Sequence, residues 1–209
     1  MLTVCLLNWR RPANVARIVS ALYGVCKIFL WDNAGDYPAD PRIDWQIRSS
    51  RNMRCHPRWW MAGQAATPYV ASLDDDLIPK DRHVLHDAVA VLQQHNEIAA
   101  VGPFGKVVQS GLHYVHWGTV ANVESDRRAD LLIGRCIIAR TGAVAAARVT
   151  HQTNDDLQLC GALTGGRPME CLVPACMAGR FEELPAPAAL CELPGHYSSR
   201  DALAKEIWA

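Results

Sequence analysis

The chain has 209 residues, half of them hydrophobic and a fifth charged, which is enough to bury the core of one α/β domain. Lysine and arginine together equal aspartate and glutamate at 21 each, so no broad attraction to nucleic acid or anionic membrane is implied. No apolar run is long enough to span a bilayer, and residues 1–7 are too short for a secretory leader. The chain is therefore expected to stay in the cytoplasm where it is made, away from membranes.

Residues 2–7 form a short apolar run that ends at Asn8. Pro12 then opens a stretch in which Val15, Ile18, Val19 and Leu22 recur at helical spacing. Residues 27–31 read as a second strand, stopped by Asp32, Asn33, Ala34, Gly35 and Asp36. Strand, helix, strand and loop in this order begin a parallel α/β sheet, whose ligands gather at the carboxyl ends of its strands. A basic, poorly periodic stretch follows, with a strand expected over 45–48 and a helix over 59–66. Residues 68–73 are strand-like and run directly into Asp74, Asp75 and Asp76. Pro79 and Asp81 precede a helix with Val84, Leu85, Ala88, Val89 and Leu92 as its apolar stripe.

Further on, 98–101 reads as a strand, and 102–125 as loops and strands flanking a pocket, with an aromatic–histidine cluster at His113, Tyr114, His116 and Trp117. A continuous strand is expected over 131–139, helices over 141–149 and 155–163, a strand over 171–176, and a last helix over 199–208. The eight cysteines are scattered without a C-x-x-C pair, so they read as small buried hydrophobes in a reducing compartment. A structural zinc site is a minor alternative.

The chemistry is carried first by Asp74, Asp75 and Asp76. Adjacent acids repel, and a hard divalent cation such as Mn2+ or Mg2+ is the usual compensation. Such an ion leaves coordination positions free for a substrate diphosphate. The plainer reading is an acidic turn that caps the following helix, but the apolar strand immediately before it favours a site. Thr153, Asn154, Asp155 and Asp156 form a second acidic segment, which in isolation reads as a helix cap but could set one acid near a sugar's anomeric carbon. His196 and Arg200 share a face if their segment is helical. The arginine could then bind phosphate, although a surface pair is the simpler reading.

Taken together in this order, the segments resemble the exostosin-like glycosyltransferases, which have the GT-A fold. Asn8-Trp9-Arg10-Arg11-Pro12 is similar to the family's opening Tyr-Asn-Arg type segment, and Trp31-Asp32-Asn33-Ala34-Gly35 to its Trp-Asn-Asn-x-Gly. Arg51-Asn52-Met53-Arg54 with Arg58, residues 73–78, Leu132-Ile133-Gly134, Thr153 to Leu157, and His196 with Arg200 match the rest. The resemblance covers most of the chain but is patchy between motifs.

It implies a single Rossmann-like GT-A domain over 1–209 with a mixed, mostly parallel central sheet. Residues 1–101 would form the nucleotide-binding half and 102–209 the acceptor and catalytic half. It also implies a retaining enzyme that uses a UDP-sugar with Mn2+. On this resemblance Asp76 and Asp74 hold the metal, and Asp74 and Asp75 also bind donor ribose and sugar. Arg11, Asn33, Asn52 and Arg58 contact the nucleotide, Asp156 lies under the sugar, and Arg200 approaches the diphosphate. Asn154 and Leu203 stand where the family has a pair of cysteines, as expected if a disulfide is lost in a reducing compartment.

The acceptor is left open between a small molecule or glycan precursor and a hydroxymethylated pyrimidine in phage-type DNA. As a compact, anchor-free, arginine-using transferase the chain resembles the DNA-modifying glycosyltransferases, which implies a bacterial or phage-infected cell. Trp59, Trp60, Tyr114 and Trp117 could stack on a flipped base, with burial in the core as the default. A nucleotidyltransferase is a rival of another class, disfavoured because residues 8–14 contain no glycine for a phosphate loop. A catalytically silent sugar-binding module is another.

Overall fold

A computed structural model describes residues 1–109, 111–187 and 194–208. The apolar opening run becomes β1 (Leu2–Asn8), buried along its whole length. Leu2, Val4 and Leu6 enter one core and Cys5 the opposite one, so both faces of the strand are covered, as a parallel strand requires. Pro12 sits at the start of α1 (Pro12–Leu22), where its missing N–H costs nothing. Val15, Ile18, Val19 and Leu22 of this helix are fully buried.

The chain continues through β2 (Lys27–Asp32), β3 (Trp45–Arg48), α2 (Pro57–Ala62), β4 (Tyr69–Leu73), β5 (Leu77–Pro79), α3 (Val84–Gln94) and β6 (Ala100–Val101). It then forms β7 (Phe104–Val107), a 3-10 turn at Tyr114–His116, β8 (Gly118–Ala121), β9 (Arg127–Ala129), β10 (Leu131–Leu132) and β11 (Cys136–Arg140). The last elements are α4 (Thr141–Ala147), α5 (Asp155–Thr164), β12 (Cys171–Val173), β13 (Phe181–Glu183) and α6 (His196–Trp208).

The central sheet has the order β3-β2-β1-β4-β11-β6-β12-β9. Its first four strands are parallel. The antiparallel β11 then separates them from the parallel pair β6 and β12, and β9 closes the edge antiparallel. The result is an α/β fold with a mixed, mostly parallel sheet, as expected. Helices α1 and α3 pack on one face, and α2, α4, α5 and α6 on the other.

The expected strand over 131–139 is broken into β10 and β11. The intervening turn leaves the sheet because Gly134 spends its N–H and C=O on side chains rather than on a neighbouring strand. The strand expected over 171–176 stops at Val173, where Pro174 begins a 3-10 turn. The helix expected over 59–66 starts earlier, at Pro57, and ends at Ala62. The last helix begins at His196, which sets His196 and Arg200 one turn apart.

Cys5, Cys136, Cys160 and Cys171 are buried and unpaired. Burial pushes the thiols of Cys5 and Cys136 far up. Cys191 lies outside the described residues. Among the described residues no helix is long and apolar enough to cross a membrane.

Candidate active site

The register of the sheet assembles the site. Asn8 pairs with Asp32 at the carboxyl ends of β1 and β2, and Leu6 pairs with Leu73 just before the acids. Cys136 of β11 pairs with Leu73, and the Asp74 N–H continues that ladder onto the Arg135 carbonyl. One edge of the sheet therefore carries the end of β1, the acid cluster and the turn 133–135.

Asn8 ties this edge together. Its amide nitrogen donates to Asp32 and Asp36 at 2.7 and 2.6 Å, and its oxygen accepts the Arg11 N–H at 3.1 Å. Asp75 is fully engaged: Oδ1 takes the Arg11 guanidinium at 2.5 Å and Oδ2 the Trp9 N–H at 2.9 Å. Asp76 is held more loosely, 3.3 Å from Arg11 and 3.5 Å from Arg135. Asp74 gives Oδ1 to Arg58 at 2.5 Å and has no partner for Oδ2 among the described residues. Burial pushes Asp74 up to about 6, the charges of Asp76 and Asp75 add to the rise, and Arg58 opposes it. Burial raises Asp75 as well, against Trp9 and Arg11.

These acids do not cap the following helix. β5 intervenes, and Asp81 accepts the His83 N–H just ahead of α3. The second acidic segment is likewise no simple cap, because Asn154 makes no side-chain cap hydrogen bond. Asp155 instead accepts Arg58 Nε at 2.9 Å and Trp59 Nε1 at 2.6 Å. Asp156 receives Arg200 in a two-pronged pair at 2.9 and 2.7 Å, together with the Gly134 N–H at 3.0 Å and the Leu157 N–H at 2.9 Å. Burial alone would raise Asp156, but the charge and hydrogen bonds of Arg200 outweigh it and hold the carboxyl below its ordinary value.

Arg58 and Gly134 join the two acidic segments. The guanidinium of Arg58, 2% exposed, reaches Asp74, Asp155 and the Gly134 carbonyl. A Cβ on Gly134 would stand 3.2 Å from Asp156 Cβ and 3.3 Å from the Arg58 guanidinium, so the approach is close enough to favour glycine. Arg200 is 5% exposed and so is no surface residue. It also bonds the Tyr114 hydroxyl at 2.9 Å.

The structure brings Arg11, Arg58, Asp74, Asp75, Asp76, Asp156 and Arg200 into one connected network. Asn33 and Asn52 stand beside it as loop builders. Asn33 accepts the Met53 N–H and donates to the Arg54 carbonyl, and Asn52 accepts the Arg54 N–H. Asp155, Gly134, Arg135 and Tyr114 are network members that sequence reasoning did not single out for these roles. The acidic doublet, the Leu132-Ile133-Gly134 motif and the aromatic–histidine cluster signalled Asp155, Gly134 and Tyr114, and nothing signalled Arg135. Of the aromatic residues considered for stacking, Trp59, Tyr114 and Trp117 are buried, whereas Trp60 is 52% exposed.

Among the described residues no three His, Cys, Asp or Glu side chains form a ready-made metal cluster, so a hard cation here would need a diphosphate to complete its ligands. Asp74, Asp75, Asp76, Asp155 and Asp156 exceed Arg11, Arg58, Arg135 and Arg200 by one charge. Asp76 and the outer oxygen of Asp74 are the oxygens least committed to protein donors. Among the described residues Arg11 Nε is buried without a hydrogen-bond partner, as expected of a donor awaiting an anionic oxygen.

No protein-family description matches the chain, and no curated protein matches it by sequence. Among solved structures it resembles the mannosyltransferase PcManGT from Pyrobaculum calidifontis, solved in complex with GDP-Man and Mn2+. The TM-score is 0.57 at 13% identity, over 90% of this chain and 58% of that one. The chain thus spans less than two thirds of its structural neighbour. The likeness defines the class as a Rossmann-like α/β fold of the GT-A type. It does not carry the more specific resemblance to exostosin-like or DNA-modifying enzymes.

Proposed function

We propose that the protein is a metal-dependent glycosyltransferase, moving a sugar from a nucleotide-sugar to an acceptor hydroxyl. The observation that carries this reading is the single network in which Arg58 and Gly134 link Asp74–Asp76 to Asp156 and Arg200. A chain building only helix caps would have no reason to gather five carboxylates around four guanidiniums at one sheet edge.

Asp76 and Asp74 would hold Mn2+ or Mg2+, which supplies charge neutralisation for the departing diphosphate. Arg11 and Arg58 flank the nucleotide, Asp75 fixes Arg11 and the end of β1, and Asn33 and Asn52 shape the loop beside them. Arg200 offers its remaining N–H surface to the leaving phosphate, and Asp156 keeps that guanidinium oriented while its charge steadies the oxocarbenium-like sugar. The bond from the anomeric carbon to the phosphate oxygen breaks, the acceptor oxygen bonds to the same carbon, and the acceptor's proton leaves with the phosphate. Because the donors of Arg200, Gly134 and Leu157 already fill the lone pairs of Asp156, its role is electrostatic rather than nucleophilic.

The donor is assigned as a UDP-sugar and the course as retaining, on the exostosin-like resemblance of the motifs. The GDP-Man bound by the structural neighbour favours a guanosine donor as the second reading. A hydroxymethylated pyrimidine in phage-type DNA remains the proposed macromolecular acceptor. A hydrolysis screen of UDP- and GDP-sugars with Mn2+, with and without hydroxymethylcytosine DNA, tests the donor and acceptor assignments, and the anomeric configuration of the product tests the retaining course. Release of no nucleotide from any donor would overturn the reading.

A further inference from the structure

Next to the Arg200–Asp156 pair lies a cavity of about 280 Å³. Lys106, Tyr114, Ile133, His196, Tyr197 and Arg200 line it. Its electrostatics are unbalanced. Arg200 is neutralised by Asp156, but Lys106, 8% exposed, makes no ion pair among the described residues. Its acceptors are the Trp117 carbonyl at 3.3 Å and the Thr119 hydroxyl at 3.5 Å, both long for an ammonium donor.

The Tyr114 ring is shared by two cations, with Lys106 Nζ 4.9 Å and the Arg200 guanidinium carbon 4.4 Å from its centroid. One ring face offers an ammonium only about 0.5–2 kcal/mol, which does not offset the burial of an unpaired charge. Burial, and after it Arg200, draws Lys106 below its ordinary value. Burial and Arg200 also hold His196 down, against Asp156. The nearby carboxylate of Asp201 is already committed to His113 and to the Tyr114 N–H.

We propose that this cavity binds an oxyanion carried by the acceptor, with Lys106 as its counter-ion and the Tyr114 hydroxyl, His196 and Arg200 as further donors. The assignment to an acceptor rests on the glycosyltransferase reading, whereas the anion site itself does not. The cavity is smaller than the roughly 300–1,000 Å³ of drug-sized pockets. It has room for one acid group on a single ring. On this assignment the acceptor carries a carboxylate or phosphate close to the hydroxyl that is glycosylated.

The test uses the whole chain and Lys106→Met, which keeps the side-chain stem and removes the charge. Inorganic phosphate and acetate are titrated separately in the presence of chelator, UDP is titrated with Mn2+, and both proteins are melted without ligand. The expected result is that one or both anions bind the wild type and bind the variant at least tenfold more weakly. UDP affinity should be unchanged and the variant should melt no lower than the wild type. Equal anion binding by the two proteins, or none by the wild type, would overturn the site. A lower melting temperature in the variant would make Lys106 structural and would equally overturn it. A matching loss of UDP affinity would assign the anion to the donor diphosphate and remove the acceptor. Failure of the wild type to bind UDP, or GDP titrated in the same way, with anion binding intact, would count against the transferase reading alone.

Discussion

Replacing Arg58 by methionine removes the one cation shared by Asp74 and Asp155 while keeping much of the buried volume. Removing one partner of a buried ion pair costs about 3–5 kcal/mol, because the other charge stays behind. Asp155 is only 3% exposed and retains a single donor, Trp59, so it carries most of that cost. Asp74 is 29% exposed and water screens it, which places the total near the lower end, at ~3 kcal/mol. For a domain of this size each kcal/mol moves Tm by roughly 2–4 °C, so the variant should melt about 6–12 °C lower.

Calorimetric melts at pH 7 in chelator read the shift. A second variant sharpens the test: Arg58→Met with Asp155→Asn keeps an acceptor for Trp59 and removes the stranded charge. The double variant should be less destabilised than the sum of the two single changes. A drop of less than about 2 °C for Arg58→Met, or strict additivity in the double variant, would refute the claim that Arg58 is the electrostatic link between the two acidic segments.

Asp156→Asn should bind nucleotide as the wild type does but lose sugar transfer by roughly 10²–10³-fold, the usual cost of removing an electrostatic stabiliser. A single-turnover assay with near wild-type rates would take Asp156 out of the chemistry. Asp74 titrates near 6 in the folded chain and near ~3.9 when unfolded. Its ionisation therefore penalises the folded state as pH rises through that window. The Tm advantage of Asp74→Asn over the wild type, measured in chelator, should accordingly be larger at pH 7 than at pH 5. A difference independent of pH would show that Asp74 is not under this strain.

Much of the fold was legible because its signals are local. The stripe Val15, Ile18, Val19 and Leu22 gave α1, and a run of apolar residues ending in acids gave β4 and the site edge. The break between β10 and β11 was not legible. An apolar run containing Gly134 reads as one strand until Asp156 and Arg58 claim the backbone of that turn. The site divides in the same way. The acids and Arg200 stand out as residue types, but Arg58 meets Asp155 across 97 positions of sequence, and no periodicity reports such a contact. Asn33, a nucleotide contact on the resemblance of the motifs, also holds the loop at Met53 and Arg54 with its amide, a commitment visible only once the chain is folded. Lys106 had no signal at all, since its lack of an ion-pair partner among the described residues is a property of the packed structure.

The most direct test of the account is calorimetric titration of UDP and GDP into the wild type and Asp76→Ala, with Mn2+ and with chelator. The account predicts that the wild type binds at least one of the two with Mn2+, and that chelator or Asp76→Ala weakens binding by about tenfold or more, ~1.4 kcal/mol. Equal affinity with and without metal, or an Asp76→Ala protein that binds like the wild type, would contradict it.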